Sequence, residues 1–287
     1  MRYIFTACMS FVILGTAYAQ EKPAYKIYNK SGNESDFGEM VNAAVSADVV
    51  LFGELHNNAV SHWMQYEITN TIIQQKGVNV ILAAEMFESD DQLMLDEYLN
   101  DVISERSFEA QMRLWKNYNT DYKPLMLLAK DNHLKFVASN IPRRYASFVF
   151  NHGLDSLSTL SDLAKTYMAP LPMEYSMETP GYDSILVMDT HGQGDSIRMV
   201  EAQASKDITM AYFIQQNLVP GATLIHYNGD YHSRIFGGIY FYLKKLNPGL
   251  NIITISSAEN EDTSLPDNAK GSADFVIIIP KSFTKTY

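Results

Sequence analysis

Six short segments, 48–52, 79–84, 135–139, 223–227, 251–256 and 274–279, are nearly unbroken runs of Val, Ile, Leu, Phe and Ala. A strand with one wet face alternates apolar and polar residues, so such runs predict strands covered on both faces. Amphipathic stretches at helical spacing lie between them. Strand and helix in alternation predict an α/β fold: a mainly parallel central sheet flanked by helices.

The helical layer reads from its stops and caps. Residues 62–76 carry apolar residues at helical spacing and end at Gly77, and Ser89-Asp90-Asp91-Gln92 reads as a capping box for a helix to about Leu99. Further helices are expected over 108–118, 124–133, 196–217 and 233–246, the last two closed by Pro220-Gly221 and Pro248-Gly249. The stretch from 142 to about 195 breaks the alternation with short helical pieces followed by Pro170, Pro172, Pro180, Gly181, Gly192 and Gly194. Long insertions in compact domains tend to be functional, so this one is expected to form a helical lid over the strand ends. The acidic stretch 259–267 is expected to be a solvated loop.

The first nineteen residues read as a cleaved signal peptide. Arg2 is followed by a mostly apolar core and by Ala17-Tyr18-Ala19, a small-x-small site, so cleavage is expected after Ala19 and the mature chain starts at Gln20. The chain is then expected in the periplasm or cell envelope, with residues 20–287 as a single domain. Cys8 is the one cysteine and sits inside the apolar core, where a lipid-acceptor cysteine is not expected. Its loss excludes disulfides, Cys-ligated zinc, iron–sulfur clusters and covalent haem attachment. The net charge of −11, which becomes −12 without Arg2, lacks the basic stripe of a nucleic-acid surface.

Two of the predicted strands end in the same tetrad. Gly53-Glu54-Leu55-His56 closes the first and Gly229-Asp230-Tyr231-His232 the fourth. A glycine there suggests a sharp turn through positive φ, and ligands of open α/β sheets bind outside the carboxyl ends of the strands. Glu85 follows the second run directly; Asn140, Arg143 and Arg144 follow the third; Asn228, Asp230 and His232 follow the fourth. In a parallel sheet these groups share one edge, and so many ionisable residues are costly to bury unless they satisfy one another or hold a ligand. Asp189-Thr190-His191-Gly192 offers a weaker two-ligand spacing, while His62, His133, His152 and His226 read as structural. The 12% aromatic content, Tyr above Phe, reads first as packing. No phosphate loop, G-x-S-x-G elbow or H-E-x-x-H is present, so nucleotide, serine-hydrolase and zincin readings lack support.

Taken in order, Gly53-Glu54-Leu55-His56, Ala84-Glu85-Met86-Phe87, Asn140-Ile141-Pro142-Arg143-Arg144, Ala202-Gln203 with Lys206-Asp207-Ile208-Thr209-Met210-Ala211, and Asn228-Gly229-Asp230-Tyr231-His232 resemble the ChaN family. Those proteins are haem-binding and iron-regulated, and are grouped with Tiki proteases, TraB-like proteins and erythromycin esterases. The resemblance implies a ligand site above the sheet, haem binding by a homodimer with two stacked haems, and envelope partners in haem uptake. ChaN proteins are often lipid-anchored, and the plain leader here departs from that.

Two chemistries stay open. Haem needs an axial ligand, apolar walls and cations for the propionates: His56, Tyr231 or His232 as ligand, Arg143 or Arg144 for the propionates, Asn228 beside them, and Met168, Met173, Tyr175, Met177 and Tyr182 as a wall. A hydrolase would instead use Glu54, His56, Glu85 and His232, around a divalent cation or as a His–Glu general base.

Overall fold

The computed structural model describes residues 22–187 and 193–287. The segment expected as a leader and the Asp189-Thr190-His191-Gly192 spacing lie outside the described residues. All six expected strands form: β3 (Val49–Glu54), β4 (Val80–Glu88), β5 (Lys135–Asn140), β6 (Thr223–Gly229), β7 (Ile252–Asn260) and β8 (Phe275–Pro280). They pair in parallel. Two short strands absent from the sequence reading, β1 (Lys26–Asn29) and β2 (Glu34–Ser35), extend the β8 edge antiparallel, giving the order β2-β1-β8-β7-β3-β6-β4-β5. They are brief, polar and mostly half-exposed, so they lack the apolar run that marked the others.

Both faces of the sheet are covered. Val50, Phe52, Leu82, Ala84, Phe136, Ile225 and Tyr227 pack into one core with α1 (Phe37–Val45), α2 (Ala59–Lys76), α3 (Gln92–Leu99), α4 (Glu105–Gln111) and α5 (Lys123–Asp131). Their alternate neighbours Val49, Leu51, Ile81, Ala83, Val137 and Leu224 pack into the other, against α8 (Tyr182–Val187), α9 (Gln193–Gln216) and α10 (Gly238–Leu246). Every strand position therefore meets a hydrophobic layer, which is why the strands read as continuous apolar runs.

Helix boundaries shift where side chains compete for the backbone. α2 starts three residues early because the Asn58 side chain accepts from the Val60 and Ser61 amides. The capping box at Ser89 does not form: Ser89 Oγ donates to the Tyr167 carbonyl, and residues 89–91 are a 3-10 turn before α3. The expected 108–118 helix is instead α4, which begins after the Ser104 cap and stops where Met112 turns extended. α10 begins only at Gly238, because Ile235 and Phe236 have positive φ (52° and 58°) and break the helical path.

The inserted stretch contains α6 (Arg143–His152), α7 (Asp162–Lys165) and α8. It forms a satellite core of Ile141, Ala146, Val149, Leu157, Met168 and Met173, backed by Ala202, Ile208 and Tyr212 of α9. The acidic stretch is partly strand, since β7 runs on to Asn260. Among the described residues, no helix is long and apolar enough to cross a membrane.

Candidate functional site

Pairing of β3 with β6 sets Gly53 beside Asn228 and Glu54 beside Gly229, so both tetrads leave the sheet at one edge. On the far side of β6, Ala84 of β4 faces Tyr227, which places Glu85 next to the second corner. Neither tetrad glycine has positive φ; Gly229 sits at −54°. Space, not turn geometry, is the reason for them. A Cβ on Gly229 would lie 2.6 Å from His56 Nε2, and one on Gly53 would lie 2.6 Å from Asp230 Oδ1 and 3.0 Å from Asp230 Cα.

At the first corner the carboxylate and imidazole belong to the same tetrad. Glu54 is buried, and its Oε1 takes His56 Nδ1 at 2.8 Å and the Tyr122 hydroxyl at 2.7 Å, while Oε2 accepts from Gln65 Nε2 at 2.5 Å. The His56 carbonyl is pinned by Asn117 Nδ2 (2.9 Å) and His62 Nε2 (3.0 Å). Trp115 meets the ring edge-on with centroids 5.0 Å apart. His56 Nε2 has no hydrogen-bond partner among the described residues. Burial pulls the proton affinity of the ring down, but the bond to Glu54 and the field of Glu85 outweigh it and hold His56 above the usual imidazole value. An imidazole oriented through Nδ1 by a carboxylate, with Nε2 unengaged, suits a metal ligand or a general base.

At the second corner both ring nitrogens are taken. His232 Nδ1 lies 2.5 Å from Asp207 Oδ1, and Nε2 lies 3.1 Å from Glu85 Oε1. The other Glu85 oxygen accepts the Gly229 amide at 2.7 Å, and Tyr182 donates to Asp207 Oδ2 at 2.8 Å. Burial disfavours a charged ring, yet the flanking carboxylates dominate and push His232 up to about 10. Burial would likewise raise Glu85, but the His232 cation brings it well below the usual carboxylate range. His232 is therefore held between two carboxylates, an environment that favours its charged form, and both of the nitrogens that the sequence reading offered to iron or to a base are engaged by Asp207 and Glu85.

The two corners floor a cleft of about 760 Å³. His56, Glu85 and His232 all line it, as the sequence reading required, with Asn140, Ile141 and Arg143 from the β5–α6 junction. Other expected residues point elsewhere. Arg144 pairs with Asp90 at 2.6 Å, Tyr231 donates to the Gly181 carbonyl at 2.7 Å, and Asn228 donates to the Gly229 carbonyl and Ser233 Oγ, both at 2.9 Å. None of the three lines the cleft. Nor do the residues proposed as a wall: Met168 and Met173 fill the satellite core, and Tyr182 is buried against Asp207.

The walls come from Leu114, Trp115, Lys116 and Tyr287, which carried no signal in the sequence, and from Lys206, which entered only as part of the family resemblance. Tyr287 reaches the cleft because Thr286 is tied to the Asn57 carbonyl through its amide and to Asp121 Oδ2 through its hydroxyl. The buried Asn140 amide donates to the Glu85 carbonyl at 3.0 Å, and its Oδ1 has no partner among the described residues. No group of three or more His, Cys, Asp or Glu is placed to hold a metal ion among the described residues. The divalent-cation expectation finds no support among the described residues, where Glu54 and Glu85 engage their neighbouring histidines and donors.

Fold and cleft together describe an α/β protein with a cleft at the carboxyl ends of its central strands. The chain belongs to the family described as haem-binding uptake, Tiki superfamily, ChaN, whose model matches residues 40–243. Among solved structures it is similar to ChaN of Campylobacter jejuni, described as showing cofacial heme binding. The two are 18% identical with a TM-score of 0.67, over 89% of this chain and 96% of that one. The type III effector HopBA1 aligns at 13% identity and TM-score 0.50, over 84% of this chain and 91% of that one. An erythromycin esterase, EreC, aligns at 12% identity and TM-score 0.47, over 88% and 83%. At such identities the likeness is one of fold. No curated protein matches the chain.

Proposed function

We propose that this chain is an exported haem-binding protein serving haem or iron acquisition, its ligand held above the carboxyl ends of β3, β4 and β6. One observation carries the reading: His56, oriented by Glu54 and unengaged at Nε2, stands in a cleft that joins aromatic walls to cations, in a member of a haem-binding family. Haem is held by an axial nitrogen or oxygen ligand, apolar walls and cations near its propionates. His56 offers the first; Leu114, Trp115 and Ile141 the second; Arg143 the third. Bound haem would supply the iron centre, while these residues orient it and exclude water. Export by a leader cleaved after Ala19, residence in the periplasm or envelope, and contact with envelope uptake components belong to the same proposal. So does a homodimer, which the cofacial binding described for the Campylobacter jejuni protein motivates.

Titrating the mature chain with haemin tests the reading. A saturable Soret shift is expected, with His56→Ala weakening binding and altering the band. A spectrum identical to free haemin at stoichiometric protein would refute it.

A second reading draws on the same pair. A carboxylate-oriented imidazole beside the ionised Glu85 is placed for general-base hydrolysis. Turnover of p-nitrophenyl acetate that vanishes in both His56→Ala and Glu85→Ala, without any haemin band, would favour it.

A further inference from the structure

The family model matches residues 40–243, yet one residue lining the cleft comes from well outside them: Tyr287. After β8 ends at Pro280 the chain is steered back toward the first corner. The Lys281 amide donates to the Asn260 carbonyl at 2.8 Å, and Phe283 packs against the core shared with α1–α5. Lys285 then pairs with Asn58 in an isolated antiparallel bridge, and the Thr286 amide donates to the Asn57 carbonyl at 3.0 Å. Glu259 clasps both sides of that bridge, accepting from Asn58 Nδ2 at 2.7 Å and from Lys285 Nζ. Asn57 and Asn58 follow His56 directly, so this strap lies along the loop that carries the unengaged imidazole.

A second route joins strap and site. Thr286 Oγ1 donates to Oδ2 of the buried Asp121 at 2.8 Å, and the same oxygen accepts Asn117 Nδ2 at 2.6 Å. Asn117 Nδ2 also donates to the His56 carbonyl at 2.9 Å. Hydrogen bonds to a carboxylate are the stronger kind, so loosening Thr286 loosens an anchor of His56. Tyr287 itself is 58% exposed, leaving ring surface for a ligand to cover. Its partial burial, and then the fields of Glu54 and Asp121, raise the phenol above its usual value and keep it neutral.

We propose that residues 285–287 form a strap belonging to the ligand site: Thr286 positions the His56 loop, and Tyr287 is a ligand-contacting wall for a flat apolar ring. The wall rests on the haem reading and deepens it, adding a specificity-determining residue outside the family match. The positioning of His56 needs no ligand.

Two measurements on residues 20–287 test this, one without ligand and one with haemin. In the ligand-free chain, diethyl pyrocarbonate acylates neutral imidazoles, and peptide mass spectrometry reads each histidine separately. His56 should react about three- to tenfold faster in Thr286→Val and in Tyr287→Ala than in the wild type. The exposed His133 should keep its rate as internal standard. Release of haemin to excess apomyoglobin should quicken about three- to tenfold in Tyr287→Ala, and Tyr287→Phe should restore the slow rate because the ring is the wall. Lys281→Ala, which breaks only an exposed pair with Glu261, should change neither measurement. Urea midpoints should show all variants folded. A His56 reactivity unmoved by both substitutions overturns the strap, whatever haemin does. A wild-type release rate in Tyr287→Ala overturns the wall while haemin binding stands. Failure of haemin to bind the wild type removes the haem reading and the wall with it, and the positioning role is then decided by His56 reactivity alone.

Discussion

The two Gly-x-x-His corners share a spacing, a sheet edge and a cleft, yet their imidazoles do opposite things. In the first, the residue after the glycine, Glu54, turns back to hold its own His56 and leaves Nε2 unengaged. In the second, Asp230 turns away to Ser256 at 2.5 Å, and burial pushes its carboxyl up to about 6. His232 is instead gripped by Asp207 from α9 and Glu85 from β4. Repetition of a motif therefore does not repeat its chemistry. The second corner fixes the charge of the floor, and the first presents a group that can bind.

The largest effect expected from this contrast is on stability. His232→Ala leaves Asp207 and Glu85 buried beside each other without their cation, a loss of about 3–5 kcal/mol. His56→Ala leaves Glu54 still bonded to Gln65 and Tyr122 and costs about 1 kcal/mol. Urea unfolding of the two variants checks this, and equal losses would erase the distinction.

The pH response sharpens it. The His232 value is raised by folding from 6.5 to about 10, so its contribution to stability is fully present below pH 6.5 and drains away as pH rises toward 10. Glu85, depressed by folding from 4.5, contributes above that pH and loses its share as acid protonates it. The wild-type urea midpoint should fall from pH 6.5 to 10, the unfolding free energy dropping by at most about 1.4 kcal/mol per pH unit. In His232→Ala that slope should flatten. A wild-type midpoint that holds steady across the alkaline range would mean the second imidazole is not a clamped cation.

A smaller effect separates the two glycines. Gly229→Ala drives a Cβ to within 2.6 Å of His56 Nε2, a clash costing about 1–3 kcal/mol and displacing the imidazole proposed to meet the ligand. Gly53→Ala strikes the Asp230 carboxylate and backbone instead, at similar cost. Haemin titration should show binding weakened in the first and kept in the second, and a reversed order would contradict the assignment of His56.

Much of this was legible before folding, and the omissions have physical causes. Glu85 stood out because a carboxylate directly after a buried strand has no solvent to face. Asp207 left a fainter trace: it occupies the apolar stripe of α9 with Val200, Ala204, Ala211 and Ile214, all buried, where a charge needs a partner. Gln65 sits likewise among the buried Ser61, Ile68 and Ile72 of α2. Trp115, Lys116 and Tyr287 lie outside regular helices and strands, where periodicity carries no information.

Local pattern was enough for the strands, their parallel order of ends and the convergence of His56, Glu85 and His232, because two-sided burial writes itself into consecutive residues. Which imidazole is charged, which arginine of Arg143-Arg144 faces the cleft and which tyrosine lines it were decided only by packing. Those properties depend on the distance to Asp207, Asp90 and Asp121, carboxylates remote along the chain. Electrostatic character is a relation between neighbours in space, and a chain read residue by residue does not contain it.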